Sequence, residues 1–428
     1  MNDIFADLAW RGLIQQTTDD RYLPEWLNAQ SRTLYVGFDP TASSLHVGSL
    51  LPLLTLRRFQ RAGHRPIALV GGATGMIGDP SGKSEERNLM SVDMLRANVA
   101  GLEQQMRQFL DFDGGPQSAV LVNNFDWMRN FSFLDFLRDI GKNFPVNVML
   151  SKDSVKGRLE RTDGGLSYTE FSYMLLQAYD FVHLYDQFGC QLQAGGSDQW
   201  GNITAGIDLA RRMRGVQLYG LTCPLLTKSD GTKMGKTEKG TVWLAADRTS
   251  PYAFYQYWIN VADADAGTCL RVLTELSRDE VEALDQSRTA EPHLRQSQKR
   301  LAEELTRLVH GEAGLATARR ATEMFFGAEI ADLNDAQLVE IFADVPSKQL
   351  PRERLSGDGL PLIDALTEAG LAKSKGEARR TIQQGGAYVN NRRMGDLDAC
   401  LNTAHLASET VLVLRSGKKN YALLRFAE

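Results

Sequence analysis

The chain has 428 residues, a hydrophobic fraction of 43%, a charged fraction of 24% and a formal net charge of −5. Its length predicts two or three domains, its composition is that of an ordinary globular protein, and its charge excludes a surface coated in nucleic acid but not a local basic patch. No apolar run reaches the roughly 18 residues of a membrane span, and the acidic start lacks the basic-then-apolar order of a signal peptide, so a cytoplasmic location is expected.

Leu34 to Phe38 reads as a short buried strand. Phe38-Asp39-Pro40-Thr41-Ala42-Ser43-Ser44-Leu45-His46-Val47-Gly48-Ser49 then joins it to a helix over Leu50 to Gln60, with Pro52 in its first turn or at a kink. Ser43 or Ser44 is the expected cap. The helix N-terminus offers N–H groups and a positive dipole end to phosphate. His46 and Ser49, three apart, share a face, and Gly48 lets a nucleotide approach the backbone. Ile67 to Val70 and Val120 to Val122 are further strands. This alternation predicts a parallel sheet with ligands beyond its carboxyl ends.

The glycine-rich run Gly71 to Ser84 invites a P-loop reading. It has three residues between Gly78 and Gly82 where that motif has four, so a P-loop is set aside. Ser167-Tyr168-Thr169-Glu170 is a capping box. The helix that it opens puts Tyr173, Gln177 and Asp180 on one face. Lys233-Met234-Gly235-Lys236-Thr237 lies in a polar, glycine-studded stretch. Two lysines and a hydroxyl there suit a triphosphate. Taken alone, it also reads as a solvated charged loop.

The four cysteines, Cys190, Cys223, Cys269 and Cys400, are far apart. They suggest neither a zinc site nor a disulfide framework, and no structural metal is expected. From 250 to 343 helical periodicity dominates, for example Leu301, Leu305, Leu308 and Val309. Residues 344–359 read as a linker with Pro346, Pro351, Gly357 and Gly359. From 360 to 428 a small α+β module follows. Ser374 to Glu377 is a capping box that starts its second helix, and Ala387–Val389, Val411–Leu414 and Tyr421–Leu424 are its strands. Lys375, Arg379, Arg380, Arg392, Arg393, Lys418 and Lys419 are its basic residues.

The strings around His46 and Lys233 together resemble the paired signatures of class I aminoacyl-tRNA synthetases. Phe171 to Phe181 and Gly195 to Asn202 resemble the tyrosine-binding parts of bacterial tyrosyl-tRNA synthetases, and most of residues 1 to 345 follows that family. The resemblance implies an α/β protein: a Rossmann-like catalytic domain (1–222), a signature-loop segment (223–249), an all-helical domain for the anticodon arm (250–343), and an RNA-binding module (360–428) like one first recognised in a ribosomal protein. It implies activation of tyrosine with ATP and Mg²⁺, then transfer to the 3′-terminal adenosine of the tRNA.

By the same resemblance, Tyr35 and Asp180 meet the phenol hydroxyl. Tyr173, Gln177 and Asp79 hold the ammonium, and Gln199 orients the carboxylate. Gly37, Asp39, Gly48, Gly196 and Asp198 adjoin the nucleotide. Thr41, His46, Lys83, Arg87, Lys233 and Lys236 stabilise the departing pyrophosphate. Ser49 replaces the second signature histidine and is expected to have a lesser or water-mediated role. The basic residues of the module meet tRNA phosphates, and family members are homodimers with one tRNA spanning both subunits. Other readings are a stand-alone nucleotidyltransferase, an RNA-binding protein with a decayed site, and a tryptophanyl enzyme. The length, the full set of polar groups, and the pair Tyr35 and Asp180 respectively argue against them.

Overall fold

The short apolar runs of the first half assemble into a six-stranded sheet. The computed structural model describes residues 3–80, 90–152, 155–156, 159, 166–237, 240–330 and 333–427. The strands are β1 (Gln16–Thr17), β2 (Thr33–Phe38), β3 (Arg65–Val70), β4 (Val120–Asn123), β5 (Leu192–Gly196) and β6 (Tyr219–Cys223). Their order is β1-β6-β5-β2-β3-β4. All pairings are parallel except that of the edge strand β1. The chain runs outward from β2 through β3 and β4, then returns to the other side of β2 through β5 and β6. The crevice at the carboxyl ends of β2 and β5 is therefore the switch point, where α/β sheets bind ligands.

Neither Ser43 nor Ser44 caps the helix after β2. The helix is Val47–Arg61, and His46, in an extended conformation, is its N-cap residue. Ser44 is buried and otherwise engaged. Its hydroxyl donates to Leu45 O and accepts from Gln105 Nε2 and Ala245 N. Pro52 stands inside the helix, so Gly48 C=O lacks its usual intrahelical donor. The long helix Tyr168–Phe188 begins as its capping sequence predicts, with Ser167 Oγ accepting from Glu170 N. Its apolar face, including Met174, Ala178 and Phe181, packs on Tyr35, Ile67 and Leu69 of the sheet.

The chain forms two compact units, residues 1–245 with 262–297, and 246–261 with 298–428. The helices expected as one bundle over 250–343 are thus divided. Asp263–Leu273 and Arg278–Ala290 belong with the sheet. The reason is local: Arg11 donates to the carbonyls of Arg271, Thr274 and Leu276, and Arg58 to that of Thr274. Both arginines are buried, so pulling this helix end away would leave guanidinium groups unpaired in the interior. The first unit also holds a small ribbon, β7 (Lys236–Thr237) with β8 (Gly240–Thr241).

In the second unit, Ser347–Pro351, inside the stretch expected as a linker, is a strand, β9. It was hidden because only Leu350 of the five is buried. After it come β10 (Leu360–Pro361), β11 (Ala387–Val389), β12 (Arg392–Arg393), β13 (Cys400–Leu401), β14 (Val411–Ser416) and β15 (Asn420–Ala427). The main sheet has the order β12-β11-β14-β15-β9, with β9 parallel to β15 and the remaining pairs antiparallel. Alternation along β14 divides its side chains between two cores. Leu412 and Leu414 join Leu362, Leu366 and Ile382 of the module's own helices. Val411 and Val413, with Leu423, join Met324 and Phe342 on the other face. The sheet is buried on both sides, and a cut at 358 would strip the residues at 321–342 of their cover.

Cys190, Cys223 and Cys269 are buried and unpaired, and Cys400 is partly exposed. Burial pushes all three buried thiols up, Cys223 to about 11 and Cys269 to about 12.

Leu423 is 2% exposed. Leu423→Ala should destabilise the second unit by about 2–5 kcal/mol. Thermal unfolding followed by circular dichroism checks this, and an unchanged midpoint would show that the outer face of the sheet contributes little.

Candidate active site

A cavity of about 330 Å³ opens at the carboxyl ends of β2 and β5. It brings together most of the residues singled out from the sequence. Tyr35, Gly37, Asp39 and Thr41 arrive on β2 and the loop after it. His46 and Gly48 come from the start of the next helix, and Asp79 from the glycine-rich run. Tyr173, Gln177 and Asp180 come from the long helix, and Gly196, Asp198 and Gln199 from the end of β5.

At the closed end lies Asp180, 1% exposed. Its carboxylate accepts from Asn124 Nδ2 at 3.0 Å and from Trp127 Nε1 at 2.9 Å. Burial pushes its pKa up to about 7, while these two hydrogen bonds pull it down and the charge of Asp39 adds to the rise. Tyr35 is equally buried, and its hydroxyl has no hydrogen-bond partner among the described residues. Burial, then the charge of Asp180, holds that phenol well above its ordinary pKa, so it stays protonated. An orphaned hydroxyl beside a buried carboxylate normally costs stability. Both residues line the cavity.

Midway along the cavity a polar network runs between the long helix and the end of β5. Gln177 Nε2 donates to Gln199 Oε1, Gln199 Nε2 donates to Asp79 Oδ2, and Asn202 Nδ2 donates to both glutamine oxygens. Tyr173 Oη donates to Asp39 Oδ2 at 3.0 Å, and Thr74 Oγ1 to Asp39 Oδ1 at 2.9 Å. The carboxylates and amide oxygens here suit an ammonium group.

At the outer end stands His46. Gly48 is required there by close approach, because a Cβ would lie 2.8 Å from the His46 ring. Desolvation, then the charges of Lys236 and Lys233, lower the pKa of His46, so the ring is neutral at pH 7 and donates one N–H. Lys233 and Lys236 are exposed and stand near His46 without lining the cavity. Ser49 does not line it either; its Oγ accepts the backbone N–H of His46 at 3.4 Å. Lys83 and Arg87 lie outside the described residues.

Asn124 and Trp127, which fix Asp180, and Gln193, which lines the cavity with its Oε1 without a partner among the described residues, were not singled out from the sequence. Asn202, at the end of the run Gly195 to Asn202, braces the two glutamines. Asn124 follows directly on β4, at the carboxyl end of a parallel strand, and that position was the available signal. In the second unit, Lys375, Arg379, Arg380, Arg392, Arg393, Lys418 and Lys419 are all exposed. Lys375 pairs with Asp364 at 2.7 Å, and Arg392 pairs with Glu329.

Residues 28–327 match the family described as tRNA synthetases class I (W and Y), and residues 337–424 match the tyrosine–tRNA ligase SYY-like C-terminal domain. The tyrosine–tRNA ligase of Rhodopirellula baltica is 61% identical, over all of this chain and 97% of that protein. That of Roseiflexus castenholzii is 54% identical over 99% of this chain and its own full length. A C-terminally truncated mitochondrial tyrosyl-tRNA synthetase of Aspergillus nidulans superposes with a TM-score of 0.68 at 30% identity, over 76% of this chain and 95% of that one. These matches, over essentially the full length of the chain, show that it belongs to the class I tyrosine–tRNA ligases.

Proposed function

We propose that tyrosine enters ring first, its phenol between Tyr35 and Asp180 and its ammonium among Asp79, Tyr173 and Gln177, with Gln199 orienting the carboxylate. The observation that carries this reading is the buried hydroxyl of Tyr35, without a partner among the described residues and facing the same cavity as Asp180. A phenylalanine side chain would leave both groups unpaired. Discrimination by a tyrosyl-tRNA synthetase against phenylalanine is a known instance of this effect, of about 10⁵.

The tyrosine carboxylate attacks the α-phosphorus of ATP in line, and pyrophosphate departs. A carboxylate is already a nucleophile, so no general base is required, and the work is positioning and charge stabilisation. Gly37, Asp39, Gly48, Gly196 and Asp198 adjoin the adenylate. Thr41 and His46 donate to the γ-phosphate, and Lys83, Arg87, Lys233 and Lys236 supply positive charge. Mg²⁺ arrives as part of the ATP substrate. Ser49 supports the helix start rather than the phosphates. Tyrosine then passes to the terminal adenosine of tRNA. The helices within 250–343 and the module from 360 contact the tRNA, the latter through its exposed lysines and arginines.

The family's homodimer is supported here by apolar side chains left exposed on the first unit, including Phe133, Leu134, Val146, Leu150 and Tyr168. No helix among the described residues is long and apolar enough to cross a membrane. A cytoplasmic location fits the family's task.

Amino-acid-dependent exchange of pyrophosphate into ATP should occur with tyrosine and not with phenylalanine or tryptophan. His46→Ala should slow that exchange at least about tenfold and change tyrosine affinity less than about twofold. Equal loss in both would contradict a role confined to the transition state. Binding of tyrosine also has a predicted pH dependence. The phenol donates to ionised Asp180, so affinity should be level above about pH 7 and weaken below it, by at most about tenfold per unit. Equilibrium dialysis reads this, and a flat profile down to about pH 5 would separate Asp180 from the phenol. Reversing Arg379, Arg380, Arg393, Lys418 and Lys419 to Glu should cut tRNA charging more than about tenfold at moderate salt, with exchange unchanged. Intact charging would remove the module from tRNA binding.

A further inference from the structure

The second signature sits on a hairpin built by local chemistry. Gly231 N donates to Lys228 O at 2.9 Å and Lys228 N to Thr232 O at 2.8 Å, with Gly231 at φ 81°. Ser229, Asp230 and Gly231 are therefore a three-residue loop that ends in a left-handed residue. Asp230 Oδ1 ties the loop to itself through Thr232 N and Oγ1. At the hairpin's base, Met234 N donates to Leu226 O, Val242 N to Gly235 O, and Val47 N to Val242 O. Gly235, at φ 84°, backs directly onto Val47, where a Cβ would lie 2.7 Å from the Val47 Cβ. The base is thus fixed to the start of the first-signature helix.

The tip is held elsewhere. Ser229 N donates to Asp265 Oδ1 at 2.7 Å. Asp265 is 8% exposed, in the first turn of helix Asp263–Leu273. The far end of that helix is gripped by Arg11 and Arg58, and Arg58 lies on the first-signature helix Val47–Arg61. The helix therefore acts as a brace about 16 Å long between the two signatures.

We infer that Asp265 is a positioning residue for the activation step, fixing the hairpin tip so that Lys233 stands where the pyrophosphate leaves. This rests on the phosphate role given above to Lys233. A hydrogen bond from an exposed loop to a buried carboxylate is charge-assisted and directional. Without it the described residues tie the tip to the rest of the first unit through its base, and the Lys233 ammonium, on a flexible stem, loses its register against the phosphates. The rival role for an acidic residue in a first turn is stabilisation of the helix dipole. The two roles respond differently to substitution. Asparagine keeps the acceptor and loses the charge, whereas alanine loses both.

The test is steady-state tyrosine-dependent pyrophosphate exchange on the full chain, well below each variant's melting temperature. Asp265→Ala should lower kcat about tenfold and leave KM for tyrosine within about twofold. Asp265→Asn should retain kcat within about twofold. Ser229→Pro deletes the donor from the opposite side, on an exposed residue at a turn position that proline favours. It should reproduce the loss even if Asp265→Ala fails to fold. Lys233→Ala should reduce kcat by itself, and adding Asp265→Ala to it should cost less than a further twofold. Unchanged kcat in Asp265→Ala or Ser229→Pro, or losses that multiply in the double variant, would overturn the positioning role while leaving Lys233 its own. Full activity in Lys233→Ala would instead overturn the phosphate reading of that lysine, and the route through it as well.

Discussion

Everything at the closed end of the cavity follows from one carboxylate deprived of water. Asp180 is almost completely buried on the long helix whose apolar side chains pack against the sheet. An isolated charge there would be neutralised by protonation. Two donors, Asn124 and Trp127, oppose that by occupying one oxygen each. The compromise is a group poised near neutrality, with its remaining lone pairs directed at the cavity. Tyr35 beside it must stay protonated, because its burial and the adjacent charge both disfavour a phenolate. The protonation states of both groups thus rest on desolvation that the fold itself imposes.

Much of this could be read from the chain, because the relevant signals are local. The Ser167 capping box specified where the long helix starts, and helical periodicity then placed Tyr173, Gln177 and Asp180 on one side. Strands β2, β3 and β4 were visible as short aliphatic runs. Strand β5 was not, because Leu192-Gln193-Ala194-Gly195-Gly196 has a buried glutamine and two glycines where a strand ordinarily shows branched side chains. Asn124 was invisible for another reason: it acts on Asp180, a residue 56 positions away in sequence. The cap at Ser43 or Ser44 failed because both fit the local rule and neither obeys it; Ser44 is committed to contacts with Gln105 and Ala245, and the helix starts later. The division of the helices past residue 250 depends on arginines at 11 and 58, which no pattern within those helices announces.

The two signature strings are separated by nearly two hundred residues yet form one hydrogen-bonded assembly. Leu45, His46 and Val47 run alongside Val242, Trp243 and Leu244, through Val47 N to Val242 O, Leu244 N to Leu45 O and the bridge between His46 and Trp243. This assembly has an electrostatic consequence. Desolvation, then the charges of Lys236 and Lys233, lower the pKa of His46 and keep its ring neutral. A histidine of ordinary pKa would carry a fluctuating charge at physiological pH.

The burial of three cysteines has a practical side. The thiolate is the reactive form, and Cys190, Cys223 and Cys269 combine inaccessibility with raised pKa values. Cys400, at the edge of the second unit, is the one thiol of the four open to solvent. A maleimide dye added to the native chain therefore finds a single address, distant in sequence from every residue that lines the cavity. The unaltered protein comes with its own attachment point for a fluorescent reporter of events at the carboxy-terminal module.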